Sequence, residues 1–397
     1  MVCHLPLQSE LGEARVHLEL AEEFRRAGHA VQKFDALDAF GRWPPTLLDR
    51  FRRGRFAARA RAFITANPDA FDVIDAHLGD VPFSREQLGF RGLLVARSVG
   101  LHGFHLPYLR AAARARTGKT ARSLGSVSLA KWKRLNQLVR PYYGPSAADH
   151  QASFRVSDLI VVPNHDELGY VAQVVTAGKC VVLPFGLSRE RQAALESSAR
   201  GLASRQSSQQ VVFIGSWEER KGCGDWPAIV ARVKGRVPGA RFLFLGAGQN
   251  PRTVLHDLGL PPVDWIRIVP HFRSPELPGL LADSAVGAFP SYAETFGFGV
   301  LEKLAAGIPT VAYDVPGPRE MLHCFSQRLL VPAGDVQSLS AEIVRLLTLD
   351  PTIYAGLARE SVMISHRFAW PEIARKTLEV YMQHMPMAAD GNQQGAI

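Results

Sequence analysis

The chain has 397 residues, 47% of them hydrophobic, and carries 46 Lys and Arg against 37 Asp and Glu for a formal net charge of +9. That length and apolar fraction suit a globular protein of two domains and exclude a disordered or fibrous chain. No apolar run is long enough to span a bilayer, and the opening MVCHLPLQSE lacks a basic n-region and an apolar h-region, so the expected location is cytoplasmic.

Cys3, Cys180, Cys223 and Cys324 are scattered, with no pair at zinc-ligand or redox-motif spacing. Reduced thiols and no metal site are therefore expected. The positive charge is concentrated in the first half. Residues 50–61 and 110–140 together hold fifteen basic residues and no acidic one. Such stretches suit an anionic membrane surface or simply a solvated face. They lack the interleaved aromatics and reader motifs of nucleic-acid binding, so no nucleic-acid partner is expected.

In chain order, Leu11, Leu18, Ala21, Phe24 and Ala27 recur at helical spacing, and Gly28 stands where the helix should end. A strand-like stretch at 30–34 follows. FDVIDA, GLLVARS, DLIVVP and CVVLP are further short apolar runs separated by helix-compatible sequence, which predicts a parallel sheet. Only residues 1–5 precede the first helix, where a doubly wound domain normally supplies a full strand. Residues 188–209 are polar and rich in Ser and Ala, and read as a helical or flexible connection.

The alternation then repeats: VVFIG, a helix over 227–237, RFLFLG, a helix near Thr253, DWIRIV, another near Pro275, AVGAFP and IPTVAYD. Two consecutive series predict an α/β protein of two Rossmann-like doubly wound domains facing a cleft. The expected boundaries are an N-terminal domain at 1–187, a linker at 188–209, a C-terminal domain at 210–365, a crossover helix at 366–385 and a tail at 386–397.

The most informative segment, residues 290–316, reads PSYAETFGFGVLEKLAAGIPTVAYDVP. Glu294 follows a strand, Phe296, Gly297, Phe298 and Gly299 form a glycine-rich turn, and the next helix carries Glu302. Glycines permit close backbone approach to a ligand, and the N–H groups at a helix start favour a phosphate or another anion. Glu302 has the chemistry to accept hydrogen bonds from a vicinal diol such as ribose, and Glu294 to meet sugar hydroxyls. The Gly246-Ala247-Gly248 turn is a poor dinucleotide fingerprint, because Pro251 stands at the third glycine position.

Glu294 and Glu302 eight apart, with Phe-Gly between them and AAGIPTV after them, resemble the donor motif of the retaining family-four glycosyltransferases, within glycosyl transferases group 1. The resemblance extends to RFLFLGAG, to Arg319-Glu320, and to Phe368-Ala369-Trp370 with the helix that follows. It implies the GT-B fold, with the last helix crossing back. It also implies retaining transfer from a nucleoside-diphosphate sugar to a saccharide, lipid-linked or other small acceptor, with no cofactor or metal. In the segment FIGSWEERKG, Lys221 matches the family lysine that holds the donor diphosphate. Ser216 stands after Gly215 where relatives carry arginine, so Arg220 is the candidate substitute. Gly12 lies where relatives approach the diphosphate from the opposite domain.

On the acceptor side relatives carry a histidine where this chain has Val99, which leaves His102, with His105 nearby, as the candidate. The expected catalytic set is Glu294, Lys221 and His102. The donor-binding set is Gly12, Gly215, Ser216, Arg220, Lys221, Glu294, Phe296, Gly297, Phe298, Gly299 and Glu302. The competing reading is a non-catalytic nucleotide-sugar-binding scaffold on the same fold. An inner-face membrane location would accompany a lipid-linked acceptor.

Overall fold

A computed structural model describes residues 1–7, 12–43, 55–101, 145, 147–176, 178–198 and 205–386. The first half contains α1 (Gly12–Arg26), α2 (Ala36–Phe40), α3 (Phe56–Thr65), β1 (Val73–His77), α4 (Arg85–Leu88), β2 (Leu93–Arg97), α5 (Ala147–Val156), β3 (Leu159–Val162), α6 (His165–Val171) and β4 (Cys180–Val182). Its strands form a parallel sheet in the order β1-β2-β3-β4. β2 and β3 are buried along their whole length. Apart from Arg97 at the end of β2, their apolar runs follow from having helices on both faces of the sheet.

The chain start fills the place of a missing first strand. Val2 bridges in parallel to both Phe34 and Ala76. Its N–H donates to the Asp75 carbonyl at 2.9 Å, and its carbonyl accepts from the His77 N–H at 2.8 Å. The expected strand at 30–34 shrinks to a bridge at Phe34, because the row it pairs with is only three residues deep.

The connection holds α7 (Arg189–Ser198). The second half contains β5 (Gln210–Ile214), α8 (Trp226–Arg236), β6 (Arg241–Leu245), α9 (Pro251–Leu258), β7 (Ile266–Val269), α10 (Leu277–Leu281), β8 (Ser284–Phe289) and α11 (Phe298–Ala305). It continues through β9 (Thr310–Tyr313), α12 (Pro316–Leu322), β10 (Leu330–Val331), α13 (Val336–Leu347), α14 (Pro351–Ser365) and α15 (Trp370–His384). The parallel sheet runs β10-β9-β8-β5-β6-β7. The strand order reverses between β5 and β8, which opens a crevice at their carboxyl ends.

α15 returns to the first domain and packs on α1. Buried Trp370 donates its indole N–H to Glu19. Tyr381 donates its hydroxyl to Asp75 and accepts from Arg97 at 2.9 Å. Arg97 also meets Asp75 at 2.8 Å, with both side chains buried. Burial alone would raise the Asp75 pKa; the Arg97 charge overcomes that and holds it below its ordinary value. This triad pins the last helix under the first sheet. Among the described residues no helix is long and apolar enough to cross a membrane.

Candidate functional site

Two loops meet at the crevice where β5 and β8 lie side by side. The one after β5 runs through Gly215, Ser216 and Trp217 into a 3-10 turn, Glu219–Lys221, closed by Gly222 at φ +77°. The one after β8 runs through Pro290 to Glu294. They are joined by the Tyr292 N–H, which donates to the Arg220 carbonyl at 2.9 Å, with the Ser291 hydroxyl oxygen 3.1 Å from the same carbonyl.

Gly222 lets the loops touch: a Cβ there would lie 2.0 Å from the Pro290 carbonyl oxygen. Left-handed backbone costs an L-residue roughly 1–2 kcal/mol, and the forced shift about 1–3 kcal/mol more. Gly222→Ala is expected to lower unfolding free energy by about 2–5 kcal/mol in urea melts. An unchanged midpoint would mean that the loops do not hold each other.

This junction collects charge. Lys221 Nζ, Arg220 and the Ser291 hydroxyl converge on Glu294 Oε1, the last two at 3.3 and 2.7 Å. Arg220 also donates to the Ala293 carbonyl at 3.0 Å. Glu294 is only 7% exposed, so it is no surface carboxylate. Burial pushes its pKa up, but the Lys221 and Arg220 charges overcome that and hold the carboxyl below its usual range. Burial, followed by the like charge of Arg220, lowers the Lys221 pKa. Ser216 brings no charge here; Arg220 supplies the second cation beside Lys221.

The glycine turn then delivers α11. Gly297 caps it at φ +89° without a side-chain cap. A Cβ on Gly299 would lie 2.8 Å from the Ile214 carbonyl, so glycine allows the helix start to rest on the end of β5. Phe296 is buried, and its ring meets those of Phe185, Phe298 and Phe368.

Glu302, 4% exposed, is paired with Arg191 of α7, and Arg15 of α1 lies 4.0 Å away with its guanidinium over the Phe298 ring. Sequence reading missed both arginines. One comes from the connection and one from the opposite domain, and no local pattern links either to residue 302.

The first domain closes against the same motif. Asn164 donates to the Thr295 carbonyl at 2.7 Å, the His165 N–H donates to Glu320 at 2.8 Å, and Arg319 pairs with Asp166 at 2.6 Å. Gly100 faces Thr295, whose Oγ1 would lie 2.8 Å from a Cβ at that position. Gly12 is the first residue of α1, the helix that carries Arg15. His102 and His105 lie outside the described residues, while Val99 is buried in the main core.

The Gly246 and Gly248 N–H groups donate to the carbonyls of Val269 and Pro270, at 2.8 and 3.0 Å, which places that turn beside the segment after β7.

Two Rossmann-like halves with a crossing C-terminal helix make the GT-B fold. Its likeness to solved structures is chain-wide. A sucrose-phosphate synthase from Thermosynechococcus elongatus superposes with a TM-score of 0.70 at 20% identity, over 96% of this chain and 98% of that one. Anabaena Alr3699/HepE, solved with UDP and glucose, gives 0.64 at 16% identity, over 96% and 98%.

Residues 208–349 match the family model described as glycosyl transferases group 1. A D-inositol 3-phosphate glycosyltransferase of Mycobacteroides abscessus is 30% identical over 183 residues, 45% of this chain and 40% of the relative. A probable sucrose-phosphate synthase 5 of Oryza sativa subsp. japonica is 31% identical over 124 residues, 30% of this chain and 12% of the relative. These matches therefore span less than half of either relative.

Proposed function

We propose that the protein is a retaining glycosyltransferase that moves a sugar from a nucleoside-diphosphate sugar to a saccharide, lipid-linked or other small acceptor in glycan or cell-envelope polysaccharide synthesis. The observation that carries this reading is the convergence of Lys221 and Arg220 on buried Glu294 at the β5/β8 crevice, beside the start of α11. Lys221 and Arg220 exchange part of their hold on Glu294 for the donor diphosphate. Glu294 is thereby released towards the sugar hydroxyls.

The leaving phosphate gains charge as the glycosidic bond breaks, and these cations with the α11 N–H groups stabilise it. It also takes the proton of an acceptor attacking from the same face. Glu302 holds the ribose hydroxyls and so does not act as the second carboxylate of a glycosidase-like pair. No cofactor or metal enters the transfer step. His102 is the proposed acceptor-side residue, and Gly12 approaches the diphosphate from the first domain.

The experiment is donor binding by Glu302→Gln, which keeps the shape of the side chain but not its charge. Loss of a charge-assisted hydrogen bond is worth about 1.5–3 kcal/mol, so donor affinity should fall roughly ten- to a hundredfold while turnover at saturation changes less. Unaltered affinity would remove Glu302 from the donor site. Slow release of nucleoside diphosphate without acceptor separates an enzyme from a binding scaffold.

A lipid-linked acceptor would bring the basic first domain to the inner face of a membrane. Arg59 and Arg61 are exposed on α3, whereas residues 50–54 and 110–140 lie outside the described residues.

A further inference from the structure

The first sheet has its own point of reversal, between Val2 and β1: the chain leaves Val2 towards Phe34 on one side and returns as β1 on the other. In a doubly wound sheet this is where a ligand crevice opens, at the carboxyl ends of the two strands. The residues there are Cys3 and His4 after Val2, and His77 to Asp80 at and after the end of β1. Cys3, His4 and Asp80 are 0%, 2% and 1% exposed, and each offers a ligand atom within 4.8 Å of the others. So little exposure suits an ion rather than a saccharide.

His4 supplies a separate observation. Its Nδ1 faces both Asp80 oxygens, at 3.0 and 3.1 Å, while its Nε2 is buried with no hydrogen-bond partner. With the proton on Nδ1, a bare Nε2 lone pair is buried unmet. With the proton on Nε2, that N–H is unmet and the Nδ1 lone pair confronts a carboxylate. A cation on Nε2 meets the bare lone pair while Nδ1–H stays on Asp80, and a cation on Nδ1 turns the second tautomer's repulsion into coordination. His77 stands alongside, its ring centroid 4.7 Å from that of His4 and its Nδ1 3.1 Å from the Leu78 carbonyl, so Nδ1 donates and Nε2 carries no proton.

We infer that Cys3, His4 and Asp80 bind a single divalent cation of the zinc class, tying the start of the chain to the loop after β1. Thiolate, imidazole and carboxylate together are a zinc ligand set, at about 2.0–2.3 Å from the ion. The Cys3 thiol releases its proton to solvent when the metal binds. Local spacing could not reveal the set, because Asp80 arrives from a different strand.

The test uses the full untagged chain with Zn²⁺ alone, Mg²⁺ as the comparison, and Co²⁺ as a spectroscopic stand-in. A single tightly held zinc is expected, with no response to Mg²⁺. The Co²⁺ sample should show a thiolate charge-transfer band in the near ultraviolet. Cys3→Ser should abolish that band, and His4→Gln and Asp80→Asn should each weaken zinc binding by more than about tenfold. Cys324→Ser controls for the neighbouring Cys324 and His323, whose Sγ and Nε2 are 3.6 Å apart, and should leave binding intact. Absence of zinc binding or of the Co²⁺ band in the unaltered chain overturns the inference even if a variant misfolds. So does loss of binding in Cys324→Ser.

Discussion

Glu294→Ala is expected to lower turnover by about 10²–10³-fold, the range seen when a preorganised charged or polar group is removed from a reacting centre. The same change leaves Lys221 buried without its ion-pair partner, beside the like charge of Arg220 and with the weaker pull of Glu218 to offset it. Breaking a buried pair by removing one partner typically destabilises by about 3–5 kcal/mol. A turnover assay alone would therefore confuse a lost sugar contact with a sagging loop.

Glu294→Gln separates the two. Its amide oxygen still accepts from Ser291 and keeps the loop near its place, but it carries no charge to hold Lys221 and Arg220. If Glu294 positions sugar hydroxyls, the Gln variant should melt clearly above the Ala variant while its turnover remains at least about tenfold down. Near-normal turnover in both variants would exclude Glu294 from the reaction. A fall in turnover that tracks unfolding would make it a structural carboxylate.

The geometry ties this carboxylate to closure of the cleft. Thr295, the next residue, holds Asn164 through its carbonyl and faces Gly100, while Glu320 and Arg319 reach His165 and Asp166. Glu302 meets Arg191 and Arg15, from the connection and the first domain. Both glutamates of the motif thus lie within one or two residues of a contact between the halves. On the proposed function, a donor that rearranges their partners would couple its binding to how the halves sit.

Much of this was legible in the sequence because it is encoded locally. AVGAFP is short, apolar and bounded by proline, and Gly297 and Gly299 mark the turn that starts α11, so strand, turn and helix could be placed. Glu302 followed from its place on that helix, whereas Lys221 came from the resemblance of FIGSWEERKG to the family's lysine segment. The first strand was harder to read: its pairing depends on hydrogen bonds from Val2 to two distant segments. The partners of Glu302 were invisible, since Arg15 and Arg191 converge only after both domains fold. Glu302 and Lys303 also stand where a half-exposed helix would carry its polar face, so nothing in the pattern of α11 marked Lys303 as buried.

That lysine carries the other large effect. Lys303 is fully buried, donating to the Ala288 carbonyl at 3.0 Å, with its ammonium 5.0 Å from the centre of the Phe289 ring. Burial lowers its pKa from 10.5 to about 7, with the nearby Lys221 charge adding to the fall and Glu302 opposing it. Below about pH 7 both folded and unfolded chains carry the proton, and the native state bears the full penalty of a buried cation. As pH rises from there towards 10.5, the unfolded chain holds the proton that the native chain has released, so stability climbs.

Lys303→Met keeps an unbranched side chain of similar size and removes the charge. It is expected to be more stable than the parent at about pH 6, by on the order of 2–4 kcal/mol. The gap should close at alkaline pH and reverse slightly, because the bond to Ala288, worth about 1 kcal/mol, is gone. Urea melts of both chains across that pH range read the difference directly. A gap that does not change with pH would mean that Lys303 titrates alike in the folded and unfolded chains, and that its ammonium is compensated in place by Phe289, Ala288 and Glu302.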